Sequence, residues 1–220
     1  MIELKGVSRV YKLGGEEIYA LNDVSLRIED SDFVAIVGPS GSGKSTLANV
    51  IGGLDVPDKG EVLIDNTNIA GLSDLALSSY RNKKIGFIFQ TFNLQPGYTA
   101  LENVMIPMLF SGISAAERKK RAIECLTAVG LTDRLNHRPD QLSGGQRQRV
   151  CIARALANKP TIIIADEPTG NLDSKKGTEI VDLLKELNQR AGITLIVITH
   201  DQDLARQAKR VITIQDGRIK

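Results

Sequence analysis

The chain has 220 residues, 42% of them hydrophobic and 25% charged, with a formal net charge of +2. That length fits one large domain, or one domain carrying a small subdomain, with enough apolar content for a core. The charge balance is too mild to point to nucleic acid, which needs a concentrated basic surface, and none is expected as a partner.

The first residues, Met1-Ile2-Glu3-Leu4-Lys5, lack the apolar core of a signal peptide. Ile2 to Val10 and Leu21 to Ile28 alternate apolar with polar, which predicts half-exposed antiparallel strands. Tyr11, at the end of the first, is a candidate for stacking on adenine. Phe33 to Val37 is a continuous apolar run of the kind buried on both faces of a parallel sheet. It leads into Gly38-Pro39-Ser40-Gly41-Ser42-Gly43-Lys44-Ser45, and a helix opens at Ser45-Thr46-Leu47. In a strand, glycine loop and helix of this form, backbone N–H groups approach phosphates and the helix N-terminus adds partial positive charge. Gly38, Ser40, Gly41, Gly43, Lys44, Ser45 and Thr46 are therefore candidate nucleotide-binding residues. Lys44 would bridge the β- and γ-phosphates, and Ser45 would ligate Mg²⁺.

Ile85 to Phe89 reads as another strand, ending at Gln90, which can bond both metal-bound and attacking water. From there to about Gln141 the pattern turns helical. Asn103 to Phe110 and Ser114 to Val129 read as helices, the second opened by a capping box of Ser114 with Glu117. The stretch from about 91 to 141 is expected to be a helical subdomain inserted into the sheet. His137, in a polar loop, reads as solvated. Cys125 and Cys151 read as small buried residues on helices; no disulfide is expected, and nothing opposes a reducing compartment.

Leu142-Ser143-Gly144-Gly145-Gln146 opens a helix running through Arg149 and Arg154, so its N–H groups form a second anion site. Ile162 to Ala165 is a buried strand that delivers Asp166 and Glu167. Asp166 is expected to hold Mg²⁺ through water, and Glu167 to polarise the attacking water as general base. Thr194 to Thr199 is a third buried run. His200 ends it, facing the sheet edge where open α/β folds place ligands, and is expected to bond the γ-phosphate. Gln215-Asp216-Gly217-Arg218 reads as a hairpin turn. Internal repeats, linkers and low-complexity tracts are absent, so residues 1–220 read as one catalytic unit. Apolar runs reach about half a dozen residues, against roughly 20 for a bilayer span, which predicts a cytosolic protein.

With these residues in order, the chain resembles the nucleotide-binding subunit of ABC transporters over essentially its whole length. Leu142 to Gln146 is similar to the signature loop and Asn171-Leu172-Asp173 to the D-loop. Tyr11, Gln90 and His200 fall at the adenine-stacking, Q-loop and switch-histidine positions. The resemblance implies an α/β P-loop NTPase core with a mostly parallel sheet, an antiparallel β subdomain on the N-terminal side and the inserted helical subdomain. It implies ATP and Mg²⁺ as cofactors, with Lys44, Gln90, Glu167 and His200 catalytic and Ser45, Gln90 and Asp166 around the metal. It further implies an ATP-dependent homodimer in which Ser143 and Gly145, with Gly144 and Gln146 beside them, act on the γ-phosphate of the opposite subunit. The remaining partner is an integral membrane permease, through which alone the chain would meet the cytoplasmic face of the inner membrane.

Asp166 to Asp173, Ile85 to Gln90 and Glu102-Asn103-Val104 resemble the lipoprotein-release and macrolide-export type. That group also resembles the ATPases of the cell-division complex and of antimicrobial-peptide resistance systems. Asn93 to Tyr98 departs from it, with Gln95 and Tyr98 where leucines are usual. In the family this stretch faces the membrane subunit, so the partner stays open. A soluble ABC protein of DNA repair would need long coiled-coil heptads, and one of translation would need two such domains. A GTPase would need an aspartate that Asn158-Lys159-Pro160-Thr161 lacks.

Overall fold

The computed structural model describes all 220 residues. The chain opens with β1 (Ile2–Leu13), β2 (Glu16–Ile28) and β3 (Phe33–Val37), followed by α1 (Lys44–Ile51). A hairpin of β4 (Lys59–Ile64) and β5 (Thr67–Asn68) leads to α2 (Asp74–Lys84) and β6 (Ile85–Ile88). Three helices follow: α3 (Ala100–Leu109), α4 (Ala115–Ala128) and α5 (Gly144–Leu156). The chain closes with β7 (Ile162–Asp166), α6 (Ser174–Ala191), β8 (Thr194–Ile198), α7 (Gln202–Ala205), β9 (Arg210–Gln215) and β10 (Arg218–Ile219).

The strands form two sheets. One is antiparallel with order β2-β1-β4-β5; the other has order β10-β9-β3-β8-β7-β6 and is parallel except for β10. Residues of the central strands alternate between two cores. Phe33, Ile163, Ala165, Leu195 and Val197 join α3, α4, α5 and α6 in a cluster of 25 buried residues. Val34, Ile36, Ile162, Ile164, Ile196 and Ile198 join β1, β2, β4 and α1 in a cluster of 24. With both faces covered there is no polar side to alternate, which is why these strands read as unbroken apolar runs.

The remaining elements differ from the sequence pattern in instructive ways. β1 and β2 continue to a Gly14-Gly15 turn, past the alternating stretch, because residues 11–19 are exposed on both faces. α2 buries Leu77 alone, so its amphipathic signal is weak. β4, β5 and β9 were not anticipated either; β9 alternates exposed with buried only at Ile212 and Ile214. The capping box expected at Ser114 forms by half. Ser114 Oγ accepts from Glu117 N–H, but the Glu117 carboxylate turns to Arg121, 2.7 Å away. Complete boxes stand at Thr99 with Glu102, the cap lying four residues before the expected start of α3, and at Ser143 with Gln146. The closing turn follows the expectation, with Asp216 at φ +49° and Gly217 at φ +72° between β9 and β10. Cys125 and Cys151 are free thiols, each pushed up to about 11 by burial. His137 is half-buried rather than fully solvated, its carbonyl accepting from Ala100 N–H at 2.8 Å.

Candidate active site

Four neighbouring parallel strands, β3, β8, β7 and β6, end on the same edge of the sheet. Register pairs Ile36 with Ile198, Ile198 with Asp166, and Ile88 with Ala165. The glycine loop after β3, His200 after β8, Asp166-Glu167 at the end of β7 and Gln90 after β6 therefore emerge side by side.

The loop from 38 to 43 is held by neighbours that leave no room for side chains at two points. A Cβ on Gly43, which has φ +105°, would lie 2.2 Å from the Ala20 carbonyl oxygen. One on Gly38 would lie 2.1 Å from the Ile214 carbonyl oxygen. β2 and β9 thus press on the loop directly, so the antiparallel sheet and the last hairpin shape the site. Gly41, by contrast, faces open space, and Ser40 beside it is exposed. Together with Ala20, the residues Gly41, Gly43, Lys44, Ser45 and Thr46 line a depression of about 150 Å³. Lys44 Nζ donates to the Gly38 and Pro39 carbonyls at 2.9 and 2.8 Å. The Ser42 hydroxyl is buried against the loop without a partner.

Burial raises the Asp166 carboxyl above its usual range; a hydrogen bond from the Ser45 hydroxyl opposes this, and the Glu167 charge adds to it. Two hard oxygen donors, Ser45 Oγ and the Asp166 carboxylate, therefore stand together at the helix entrance. Glu167 adopts φ +48°, a left-handed conformation that costs a non-glycine residue about 1–3 kcal/mol and that clusters at functional sites. Its N–H donates to the Ile198 carbonyl at 2.9 Å and its carbonyl accepts from Gly170 at 3.1 Å. That backbone sets its carboxylate 2.8 Å from His200 Nδ1. The hydrogen bond to Glu167 raises the His200 pKa, and the same carboxylate's charge adds to the effect. Lys44 is near enough to act on both Asp166 and His200. The Gln90 side chain lies against Gly170, just past Glu167, and the Gln90 backbone carbonyl accepts from Asn171 Nδ2 at 2.7 Å. Lys44, Ser45, Gln90, Asp166, Glu167 and His200 thus converge.

Tyr11 sits on β1 with its hydroxyl donating to the Asp55 carboxylate and the Arg9 guanidinium 4.9 Å from the ring centre. Arg9 in turn pairs with Asp55 at 2.9 Å and Asp58 at 3.2 Å. Burial and Asp55 raise the phenol pKa, while Thr46, beside it at the start of α1, lowers it. One ring face is therefore covered, and the ring is tethered next to the loop. Arg9 and Asp55 were missed from the sequence; the spacing Arg9-x-Tyr11, which puts both on one strand face, was the available signal.

Ser143, Gly144, Gly145 and Gln146 form a second group. Gln146 N–H donates to Ser143 Oγ at 3.3 Å and Ser143 N–H to Gln146 Oε1 at 2.9 Å, a reciprocal cap on α5. Gly144 packs on Leu172 and Gly145 on Lys176, so the cap rests on the segment from Asn171 into α6. None of the four lines the depression beside Lys44.

A family model described as "ABC transporter" matches residues 21–170. The chain belongs to the ABC transporter family. An uncharacterized ABC transporter ATP-binding protein of Methanocaldococcus jannaschii, MJ0796, is 55% identical over 100% of this chain and 95% of its own length. The dimeric structure of the MJ0796 cassette superposes with a TM-score of 0.92 at 54% identity, covering 100% of this chain and 97% of that one. A second dimeric structure of MJ0796, in a post-hydrolysis state bound to ADP and Pi, matches equally well. The macrolide export ATP-binding/permease protein MacB of Bdellovibrio bacteriovorus is 48% identical over all of this chain, which spans 33% of that protein.

In this ABC cassette, α5 also grips the loop that follows Gln90. Arg154 donates to the Asn93 and Phe92 carbonyls at 2.6 and 2.9 Å, Cys151 Sγ donates to the Phe92 carbonyl at 3.1 Å, and Arg147 covers the Phe92 ring. Asn103, fully buried on α3, holds the next stretch: its Oδ1 accepts from Gln95 N–H at 2.7 Å, and its Nδ2 donates to the Gln95, Tyr98 and Thr99 carbonyls. Phe92 did not stand out in the sequence, and Asn103 did so only as part of the Glu102-Asn103-Val104 resemblance, since their roles depend on α5 and α3 closing over one loop. Beside it runs a groove of about 480 Å³ whose walls include Leu54, Arg81, Phe87, Phe89, Ile106 and Arg154.

Proposed function

We propose that the chain is the ATP-hydrolysing subunit of an exporter or of a lipoprotein- or peptide-extraction system, working as an ATP-sandwiched homodimer coupled to a membrane permease. The observation that carries this reading is the division of the phosphate-binding groups. One group converges beside Lys44, while the Ser143 cap rests on the Asn171–Asp173 segment and does not line that depression. A second copy would bring its cap over the nucleotide, each ATP gaining donors from both chains. The dimeric MJ0796 structures support this arrangement.

In the closed dimer Lys44 would exchange its Gly38 and Pro39 carbonyl partners for the β- and γ-phosphates. The Glu167 carboxylate would take the proton of the attacking water as the new oxygen–phosphorus bond forms and the bond to the ADP oxygen breaks. His200, exposed and in contact with Glu167, would bond the γ-phosphate. Ser45 and Asp166 suit Mg²⁺, with Gln90 reaching its water, and the ion would neutralise charge on the phosphate oxygens. Loss of the γ-phosphate would remove the bridge between the copies and reopen the dimer.

The groove beside residues 92–98 is the surface proposed for the permease, since its apolar walls adjoin the loop that α5 grips. The likeness to MacB supports export as the direction. Affinity capture of Glu167→Gln with ATP from gently solubilised membranes tests the reading. A polytopic membrane protein is expected; recovery of soluble proteins alone would overturn it.

A further inference from the structure

One side chain of the interior leaves both of its polar atoms unpaired. Gln148, on α5, is 1% exposed, and neither its Oε1 nor its Nε2 has a hydrogen-bond partner. No other buried side chain leaves two polar atoms in this state. Burying a carboxamide without partners is costly, and nearly all such groups in folded proteins are paired. A methionine would fill the same space without that cost. The chain thus carries, inside α5, a polar group that this arrangement of its neighbours does not satisfy.

The phase of α5 shows which groups flank it, since residues three and four apart share a helix face. Gly144 and Gly145 stand one turn before Gln148, and Cys151 stands one turn after. Cys151 leads to the Phe92 carbonyl, which already accepts from Cys151 and Arg154 and has both lone pairs taken. Gly145 faces carbon atoms of the Lys176 stem. At Gly144 a Cβ would lie 3.3 Å from Leu172 Cδ2 and 3.8 Å from the Asn171 carbonyl oxygen. That carbonyl accepts from no backbone N–H, so it has capacity to spare. Its segment also reaches the hydrolytic centre. Gly170 N–H donates to the Glu167 carbonyl at 3.1 Å, and Asn171 Nδ2 donates to the Gln90 carbonyl at 2.7 Å.

We propose that Gln148 is a positioning residue for hydrolysis, a role that rests on the ATP-sandwiched homodimer described above. When the Ser143 cap engages the nucleotide of the second copy, the segment 169–172 closes on α5 and its backbone pairs with the Gln148 carboxamide. That pairing fixes the loop that begins at Glu167 and is tied to Gln90. Gln148 thereby couples engagement of a chain's cap to alignment of the same chain's water-activating carboxylate. The unpaired amide raises the energy of the open form, and its pairing favours the closed one.

Gln148→Met, made alone and within Glu167→Gln, tests the proposal. Methionine keeps the length and bulk of glutamine but has no N–H to donate and only a weak acceptor. Without nucleotide the variant should melt about 2–4 °C higher, because a buried unpaired amide is gone. Within Glu167→Gln it should weaken ATP-driven dimerisation roughly tenfold in analytical ultracentrifugation. Alone it should lower kcat by a similar factor while monomer ATP affinity stays unchanged. By NMR the Gln148 side-chain amide, assigned by its loss in the methionine variant, should move downfield when ATP closes the Glu167→Gln dimer. Unchanged dimerisation and turnover, or an amide signal that stays in place, overturns the proposal and leaves the homodimer reading standing. So does a lower Tm accompanied by weaker monomer ATP binding, which would make Gln148 a packing residue. Failure of Glu167→Gln itself to dimerise with ATP would overturn the homodimer reading, and the role of Gln148 with it.

Discussion

Gly43→Ala tests whether β2 shapes the phosphate loop by direct contact. At φ +105° a methyl group brings left-handed strain of about 1–2 kcal/mol. It also places Cβ 2.2 Å from the Ala20 carbonyl oxygen and 3.3 Å from Ile214 Cδ1. Backbone oxygen cannot yield as a flexible side chain would, so the loop or β2 must move, raising the total to about 3 kcal/mol. For a chain of this size that lowers Tm by roughly 6–12 °C. The shift also misaligns N–H groups at the entrance of α1. Loss of one hydrogen bond to a charged phosphate, about 1.5–3 kcal/mol, weakens ATP binding by at least about tenfold. Gly41→Ala is the control: it has φ +75° but nothing within 4 Å, so only the left-handed strain of about 1–2 kcal/mol applies. Thermal melts of both variants, and titration of each with a fluorescent ATP analogue, provide the comparison. Equal Tm losses in the two variants would refute the contact argument.

Other consequences follow from single contacts. By NMR, the His200 imidazole should titrate above the ordinary value of about 6.5 and return toward it in Glu167→Gln. Because the folded pKa is the higher one, the pair's contribution is complete below that ordinary value and fades as pH rises through the folded pKa; a midpoint unchanged by Glu167→Gln would contradict it. Asn103→Ala leaves Gln95 N–H and the carbonyls of Gln95, Tyr98 and Thr99 without their buried partner. It should cost about 2–4 kcal/mol in urea unfolding, and a loss below about 1 kcal/mol would show that the loop is held elsewhere. Ser143→Arg should block ATP-driven dimerisation in size-exclusion chromatography while monomer ATP affinity stays unchanged; equal loss of both would place the Ser143 cap on its own chain's nucleotide.

What the sequence made legible was what lies close along it. β3 with its glycine loop, β7 with Asp166 and Glu167, and β8 with His200 each pair a buried apolar run with polar residues at its end, and a strand covered on both faces leaves that signature. The contact between Glu167 and His200 was hidden, because it depends on β7 and β8 being neighbours and on the left-handed backbone at Glu167. Asp55, which holds Tyr11, comes from the segment between α1 and β4, and Ala20 and Ile214, against the glycines, come from β2 and β9, so no local pattern marks them; Arg9 alone had a local signal, its spacing from Tyr11 on β1. At Ser114 the local pattern misled: Ser-x-x-Glu was present, but Arg121 one turn on offered Glu117 a charged partner and won over the Ser114 N–H.

Single-turnover ATP hydrolysis by Glu167→Gln, measured beside its ATP-dependent dimerisation, tests most directly that this sheet edge is the hydrolytic centre. Glutamine matches glutamate in shape and can keep the contact with His200, but it cannot accept the proton of the attacking water. Hydrolysis should be slowed by roughly 10²- to 10⁴-fold, with ATP still bound and the dimer accumulating. Hydrolysis at the wild-type rate would contradict it, and the base would have to be sought elsewhere.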